Sequence, residues 1–249
     1  MANNCAICGA EVNVLQAQKL SDGNYICRKN CRAKGFKAFD YVHGTLPQVT
    51  AHISQVEKGT KLWEHYFVPK LKEKDKEKKL TRFGGNFYVA ADLGLMAYTQ
   101  NSYKFFIFGK TTRACVYRIA DLVDYDLEVQ EKKTDNGVEK KEFIHVVFAN
   151  SEGMYDFSEP MNSGTYKSFV EYFNKLFGIQ KTLGNSVNRF KDQANAVKDV
   201  ASGFKAVLSG AENMVDKAAE AGASLDKLKY GDRTELIRRA DEALSAFNG

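Results

Sequence analysis

The 249-residue sequence lacks a run of eighteen consecutive apolar residues, which excludes an obvious membrane-spanning helix. Its first ten residues, MANNCAICGA, have neither the basic nor the apolar region of a secretory signal peptide. From these two absences we expect a soluble, cytoplasmic protein. In a reducing compartment, clustered cysteines bind metal more often than they form disulfides.

The sequence also lacks the common catalytic motifs. It contains no GxSxG nucleophile elbow, no phosphate-binding GxxxxGKS/T loop and no GxGxxG in a strand-to-helix context. The histidines show no HxxxH or HExxH spacing; they are His43, His52, His65 and His145. Cys115 lies amid apolar strand residues and is interpreted as a core residue. The sequence therefore predicts no active site and no small-molecule substrate.

The sequence does contain four cysteines within its first 31 residues. Cys5 and Cys8 form a C-x2-C pair, and after eighteen residues Cys27 and Cys31 form a C-x3-C pair. Two such pairs supply four thiolates, the tetrahedral ligand set that zinc prefers in structural sites. A redox CxxC motif would need a βαβ context, which is absent here. We therefore predict one structural Zn²⁺ ion with a closed set of four ligands.

The residues between and after the cysteine pairs predict a small zinc module. A hairpin with its turn at 21–24 is expected between the pairs, and a short helix is expected over 32–42. This order is similar to a zinc ribbon or treble clef. The stretch CAICGAEVNVLQAQKLSDGNYICRKNCRAKGF resembles a four-cysteine domain of unknown function that begins many bacterial proteins. The resemblance supports the zinc site and implies no activity.

Basic residues are concentrated in the first third of the chain. Residues 1–80 contain 14 Lys and Arg against 8 Asp and Glu. Five of these cations surround the second cysteine pair: Arg28, Lys29, Arg32, Lys34 and Lys37. They could contact nucleic-acid phosphates, but no aromatic residues interleave with them, which favours a solvated surface.

A connector follows the cysteine module. Pro47 is suited to the start of a helix, Gly59 is expected to interrupt that helix, and Pro69 is expected to end it. The mixed charged run over 70–79 has almost no apolar face, which is typical of an exposed linker.

The middle of the chain has the alternating pattern of strands and then one amphipathic helix. The predicted strands are 87–90, 95–98, 105–108, 114–117, 126–132, 141–148 and 154–157. Asp135-Asn136-Gly137 predicts the turn of a hairpin. Apolar residues from Tyr166 to Phe177 predict the helix, with Gly178 ending it. This order, and the phrases YVAADLGLMAYT and CVYRIADLVDYDLEV, resemble a bacterial pleckstrin-homology-like (PH-like) barrel. That resemblance implies a scaffold that binds peptides, proteins or lipid headgroups.

The last third of the chain has a heptad pattern. Starting at Phe190, apolar and small residues recur at positions a, d and e as far as Leu228. Such a coiled-coil-like amphipathic stripe predicts self-association or protein docking, with intramolecular packing and a membrane surface as alternatives. A second helix, with Asp232 and Glu235 as a capping pair, is expected to close the chain.

Together these patterns predict an α+β protein with four regions. They are a four-cysteine zinc module (1–42), a helical connector with a charged linker (43–80), a PH-like β domain with its closing helix (81–180) and a helical region (181–249). The hypothesis for function is a non-enzymatic adaptor that contacts proteins and forms homo-oligomers through residues 183–249. The alternatives are membrane-surface binding and nucleic-acid binding.

Overall fold

The computed structural model describes residues 3–75, 78–105, 108–134, 137–151, 153–179 and 231–248. The helices are α1 (Leu46–Leu62), α2 (Val68–Lys70), α3 (Ser163–Phe177) and α4 (Thr234–Asn248). The strands are β1 (Asn3–Asn4), β2 (Glu11–Val12), β3 (Ala17–Lys19), β4 (Tyr25–Cys27), β5 (Thr81–Phe83), β6 (Phe87–Ala90), β7 (Leu95–Phe105), β8 (Phe108–Arg118), β9 (Leu122–Thr134), β10 (Gly137–Phe148) and β11 (Asp156–Pro160). The mixed helix and sheet content agrees with the predicted α+β class.

The chain forms two compact units. The first comprises the described parts of Met1–Tyr125, Val146–Ser158 and Glu235–Gly249, and the second those of Asp126–His145 and Glu159–Thr234. In the first unit, the cysteine module, α1, the sheet from β5 to β8 and α4 therefore belong to one packed body.

Helix α1 connects the cysteine module to the β5–β8 sheet. Thr45 and Gln48 form a capping box at its start, and Pro47 lies in its first turn, as predicted. The prediction that Gly59 interrupts the helix is wrong. Gly59 lies inside α1, where a side-chain carbon would come within 2.3 Å of the Ala114 carbonyl oxygen. Glycine is thus needed here for close packing of α1 on β8 rather than for a break.

The predicted closed barrel is also wrong for the described strands, which form open sheets. One sheet has the antiparallel order β5-β6-β7-β8, and another has the order β11-β10-β9. Strand β8 lies at the edge of the first sheet, and α1 covers it. The Ala114 backbone N–H donates to Thr60 Oγ1 of α1 at 3.2 Å. A helix at the edge satisfies strand groups that a closed barrel would pair with another strand.

Most of the predicted hairpins are confirmed. The turn after β6 lies at residues 91–94, and β9 and β10, the strands on either side of the turn predicted at Asp135-Asn136-Gly137, are neighbours in one sheet. The separate strand predicted over 105–108 is wrong. Phe105 ends β7 and pairs with Phe108, the first residue of β8, so these two residues belong to different strands.

Helix α3 matches its sequence pattern closely. Its buried residues are Tyr166, Phe169, Val170, Phe173 and Phe177. The helix ends at Gly178, as predicted. Its N-cap is Asn162, whose Oδ1 accepts from the Thr165 backbone N–H at 2.8 Å.

Helix α4 folds back on the sheet of the first unit. Leu236, Ala240 and Ala243 are buried, and Tyr66 Oη donates to the Ala243 carbonyl oxygen at 2.6 Å. Gly94 has φ +62, and a side-chain carbon there would lie 2.2 Å from the Leu236 carbonyl oxygen. Small residues on both surfaces therefore allow α4 to contact the sheet backbone closely.

Candidate metal centre

Two tight turns present the four cysteines. Cys5 and Cys8 lie in the turn between β1 and β2, where the Cys5 N–H donates to the Ala10 carbonyl and the Gly9 N–H to the Cys5 carbonyl, both at 2.8 Å. Cys27 ends β4, and Cys31 lies at the end of the turn that follows, as the N-cap of a 3₁₀ turn over Arg32–Lys34. Ala17 of β3 pairs with Cys27 of β4, and this pairing fixes the position of the second turn relative to β3.

The structure brings the four sulfur atoms together, as the sequence predicted. All four Sγ atoms lie within 4.8 Å of one another. The Cys5–Cys31 and Cys8–Cys27 sulfur pairs are each separated by 3.7 Å. A tetrahedral zinc ion with Zn–S bonds of about 2.3 Å requires S···S separations of about 3.8 Å. A disulfide would require about 2.05 Å, so the four side chains are free cysteines with the spacing of metal ligands.

The environment of the cluster favours a bound cation. Burial opposes ionisation of Cys5, but backbone hydrogen bonds, including one from the Cys27 N–H at 3.3 Å, lower its thiol pKa to about 6. Burial raises the pKa of Cys31 above its usual value, and the neighbouring cysteine sulfurs raise it further. Ionisation of Cys5 is therefore favoured and that of Cys31 opposed, and a divalent metal bound here would neutralise thiolate charge.

Three of the four cysteines are buried, and Cys8 is exposed. Cys5, Cys27 and Cys31 share a core cluster with Val49 and Ile53 of α1. The cluster of sulfurs is therefore part of the core that joins the module to α1, while Cys8 faces solvent on one side.

Sequence reasoning missed the role of His52, a residue of α1 that binds the backbone of the cysteine module. The predicted short helix over 32–42 is reduced to one 3₁₀ turn at Arg32–Lys34. Beyond that turn, the Phe36 N–H donates to His52 Nε2 at 2.9 Å instead of continuing a helix. The His52 side chain is fully buried and stacks on Phe39, with ring centroids 4.4 Å apart.

The module also contacts the β5–β8 sheet. The Lys37 N–H donates to Gln100 Oε1 of β7 at 2.9 Å, and Arg113 of β8 donates to the Ala33 carbonyl. Phe36 packs edge-on against Tyr98, with a centroid distance of 5.4 Å. No local sequence signal could have shown these contacts, because they join residues more than sixty positions apart.

Several of the cations around the second cysteine pair, for which phosphate contact was the alternative interpretation, have partners inside the protein. Arg28 Nε donates to the Ala17 carbonyl at 2.8 Å, and the Arg32 guanidinium lies 5.0 Å from the centre of the Tyr41 ring. Lys34 pairs with Glu57 at 3.6 Å. These contacts give three of the five cations a partner within the protein.

The remaining candidate residues lie apart from the four cysteines. Cys115 is fully buried, and burial raises its thiol pKa above the usual value, as expected for a core residue. His43 contacts Asp40 at 2.6 Å, and His65 packs against Phe247. In the part of the chain that the structure describes, the four cysteines are the one group of His, Cys, Asp and Glu side chains close enough to share a metal ion.

A cleft of about 370 Å³ lies between α1, the end of β8 and α4. Its charged lining residues are Lys58, Arg118 and Asp121. Arg118 pairs with Asp241 at 2.8 Å, and Asp121 accepts from the Asn150 side chain at 3.2 Å. Two of the three charges in the cleft therefore already bind protein groups.

None of the described helices is long and apolar enough to cross a membrane.

Comparison with known proteins adds one finding. No curated protein and no solved structure matches the chain. Residues 3–52 match a domain of unknown function, DUF4428. The match includes all four cysteines, the first turns of α1 and His52, and it covers about a fifth of the chain. The N-terminal module, with its cluster of four cysteines, is thus similar to this domain family, whose description assigns no activity.

Proposed function

We propose that Cys5, Cys8, Cys27 and Cys31 bind one structural Zn²⁺ ion. The observation that carries this proposal is the 3.7 Å spacing within two sulfur pairs of a cluster no wider than 4.8 Å. When bound, the ion would supply charge neutralisation and crosslinking of the two turns. Four cysteine ligands complete a tetrahedron and exclude the open position that a catalytic zinc needs for water.

Elemental analysis of full-length protein purified without added metal tests this proposal. We expect one zinc per chain, because the four sulfurs have the number, spacing and chemistry of a closed zinc site. Protein that is folded and contains no bound metal would contradict the proposal.

We further propose that the protein is a non-enzymatic cytoplasmic adaptor that uses its surfaces to contact other proteins. The closed ligand set supports the non-enzymatic part of this proposal. A metal ion with four cysteine ligands stabilises the fold and has no open position for catalysis. The strand order followed by α3 is similar to that of PH-like scaffolds, and we retain a PH-like binding role for residues 81–180 as a proposal. The open sheets mean that such a role would not depend on a closed barrel.

Self-association through residues 183–249 belongs to the same proposal. Helix α4 uses its apolar side on the sheet of its own chain, so we assign self-association to the heptad pattern from Phe190 to Leu228, which lies outside the described residues. The chain on either side of that segment comes together, because the Arg233 guanidinium lies 3.9 Å from the centre of the Phe177 ring. Phe177 and Arg233, the described residues on either side of the segment, therefore lie close together.

An internal deletion tests self-association without removing α4. Replacing residues 183–229 with a short Gly-Ser linker keeps both Phe177 and Arg233, so α3 and α4 should remain folded. We expect light scattering after size exclusion to show an oligomer for the full chain and a monomer for the deletion variant. Equal subunit numbers for the two proteins would contradict the assignment.

A further inference from the structure

The cysteine module exposes two adjacent apolar side chains at one turn. Val14 is 72% exposed and Leu15 is 85% exposed, the highest values among the large hydrophobic residues whose side chains the structure describes. Val12 and Ala17, on either side of this turn, are buried in the same core cluster as the cysteines. We call Val14 and Leu15 the apolar tip.

Hydrogen bonds to Asn13 hold the apolar tip in place. Asn13 Oδ1 accepts from the Leu15 N–H at 3.1 Å and from the Gln16 N–H at 3.0 Å. The Asn13 carbonyl also accepts from the Ala17 N–H at 3.0 Å. An Asx turn of this kind fixes the loop through Asn13 and the backbone, without a contact from either apolar side chain. Val14 and Leu15 are therefore surface residues that the hydrogen bonds of the turn do not require.

Basic residues lie next to the apolar tip. The Arg28 N–H donates to the Gln16 carbonyl at 2.8 Å, which places Arg28 beside the turn, and Lys29 is the next residue. Residues 3–52 contain six Lys and Arg against three Asp and Glu. Of those acidic residues, Asp22 accepts from the Leu46 N–H and Asp40 contacts His43. Glu11, in β2 close to the tip, is the remaining acidic residue, and residues 3–52 together carry three more cations than anions.

We propose that the apolar tip inserts into the interface of a bilayer that contains anionic phospholipid. A stable protein–protein contact usually covers about 800 Å² on each partner, far more than two side chains at a convex turn provide. A bilayer needs no complementary pocket, since aliphatic side chains insert among the acyl chains while neighbouring cations meet the headgroups. Lys and Arg side chains are long enough to reach the headgroup layer from the base of such a tip.

This inference rests on the proposed zinc-held fold of the module, and vesicle flotation of the full-length protein tests it. The probes are vesicles of phosphatidylglycerol with phosphatidylcholine and vesicles of phosphatidylcholine alone. The variant Val14→Ser/Leu15→Ser removes the tip, and Leu71→Ser removes an exposed leucine outside the module as a matched control. We expect the wild type to float with the anionic vesicles and the double variant to partition about tenfold less. Leu71→Ser should float like the wild type.

Zinc content measured on the same samples separates this inference from the zinc proposal. A wild type that carries one zinc and stays at the bottom of the gradient overturns the bilayer inference and leaves the metal site intact. Equal flotation of the double variant and the wild type also overturns it, because another surface would then carry the binding. Wild-type protein without zinc overturns the zinc proposal, whatever the flotation shows.

Discussion

Replacing Cys27 with serine is expected to abolish metal binding and to unfold the cysteine module. A serine hydroxyl is a poor zinc ligand, and three remaining thiols would leave the ion undercoordinated. Structural zinc contributes about 10 kcal/mol to the folding of small zinc modules. The apolar core of the module is one small cluster that includes three of the cysteines, so it cannot compensate for a loss of that size. Elemental analysis and hydrogen exchange on the purified variant would measure both effects.

The extent of that unfolding follows from the packing. Residues 3–45 should lose protection from exchange, and the first half of α1 should lose part of it because Val49 and Ile53 pack in the same cluster as Cys27. Strands β6 to β8 should keep their protection, since they pair with one another. Cys115→Ala is the matched control, because it removes a thiol outside the cluster and should leave the zinc content unchanged. Full zinc content in Cys27→Ser would contradict the assigned ligand set.

Acidification from pH 7 to pH 4 is expected to destabilise the protein through His52. Burial lowers the pKa of His52 to about 4 from an ordinary value of 6.5, and the hydrogen bond with Gln55 opposes that shift only partly. Its neutral Nε2 accepts from the Phe36 N–H, a role that the protonated ring cannot fill. The unfolded chain therefore binds a proton near pH 6.5 that the folded chain does not bind until about pH 4.

The sign and size of the effect follow from those two pKa values. The contribution of neutral His52 is complete above pH 6.5, decreases as the pH falls, and is lost below about pH 4. The difference corresponds to about 3 kcal/mol of unfolding free energy. Denaturant unfolding between pH 8 and pH 4 would measure it.

His52→Gln is the control for this prediction, because it separates His52 from acid release of the metal. Glutamine can accept the Phe36 N–H and does not titrate, so its variant should be slightly less stable at pH 8 and should lose less stability on acidification. Identical pH slopes for the wild type and His52→Gln would contradict the assigned role of His52.

Local signals explain which parts of this structure could be predicted from the sequence. The spacing of Cys5, Cys8, Cys27 and Cys31 was sufficient to predict their cluster, because two short turns are enough to bring them together. The pairing of β9 with β10 and the helix α3 follow from turn chemistry and apolar periodicity within a few residues. These features depend on neighbours along the chain.

The incorrect predictions concern contacts between distant residues. The helix expected after Cys31 is short because the Phe36 N–H is bound by His52, sixteen positions away. The described strands of 81–180 form open sheets rather than the expected barrel, and α1, from an earlier part of the chain, covers β8 through Thr60. The sequence showed that α4 has an apolar side, but only the close approach at Gly94 shows which surface receives it.

X-ray absorption at the zinc edge of the full-length purified protein tests the central claim most directly. The account predicts one zinc per chain, surrounded by four sulfur atoms at about 2.3 Å and by no nitrogen or oxygen ligand. Folded protein without bound zinc, or a zinc ion with nitrogen or oxygen among its ligands, would contradict it.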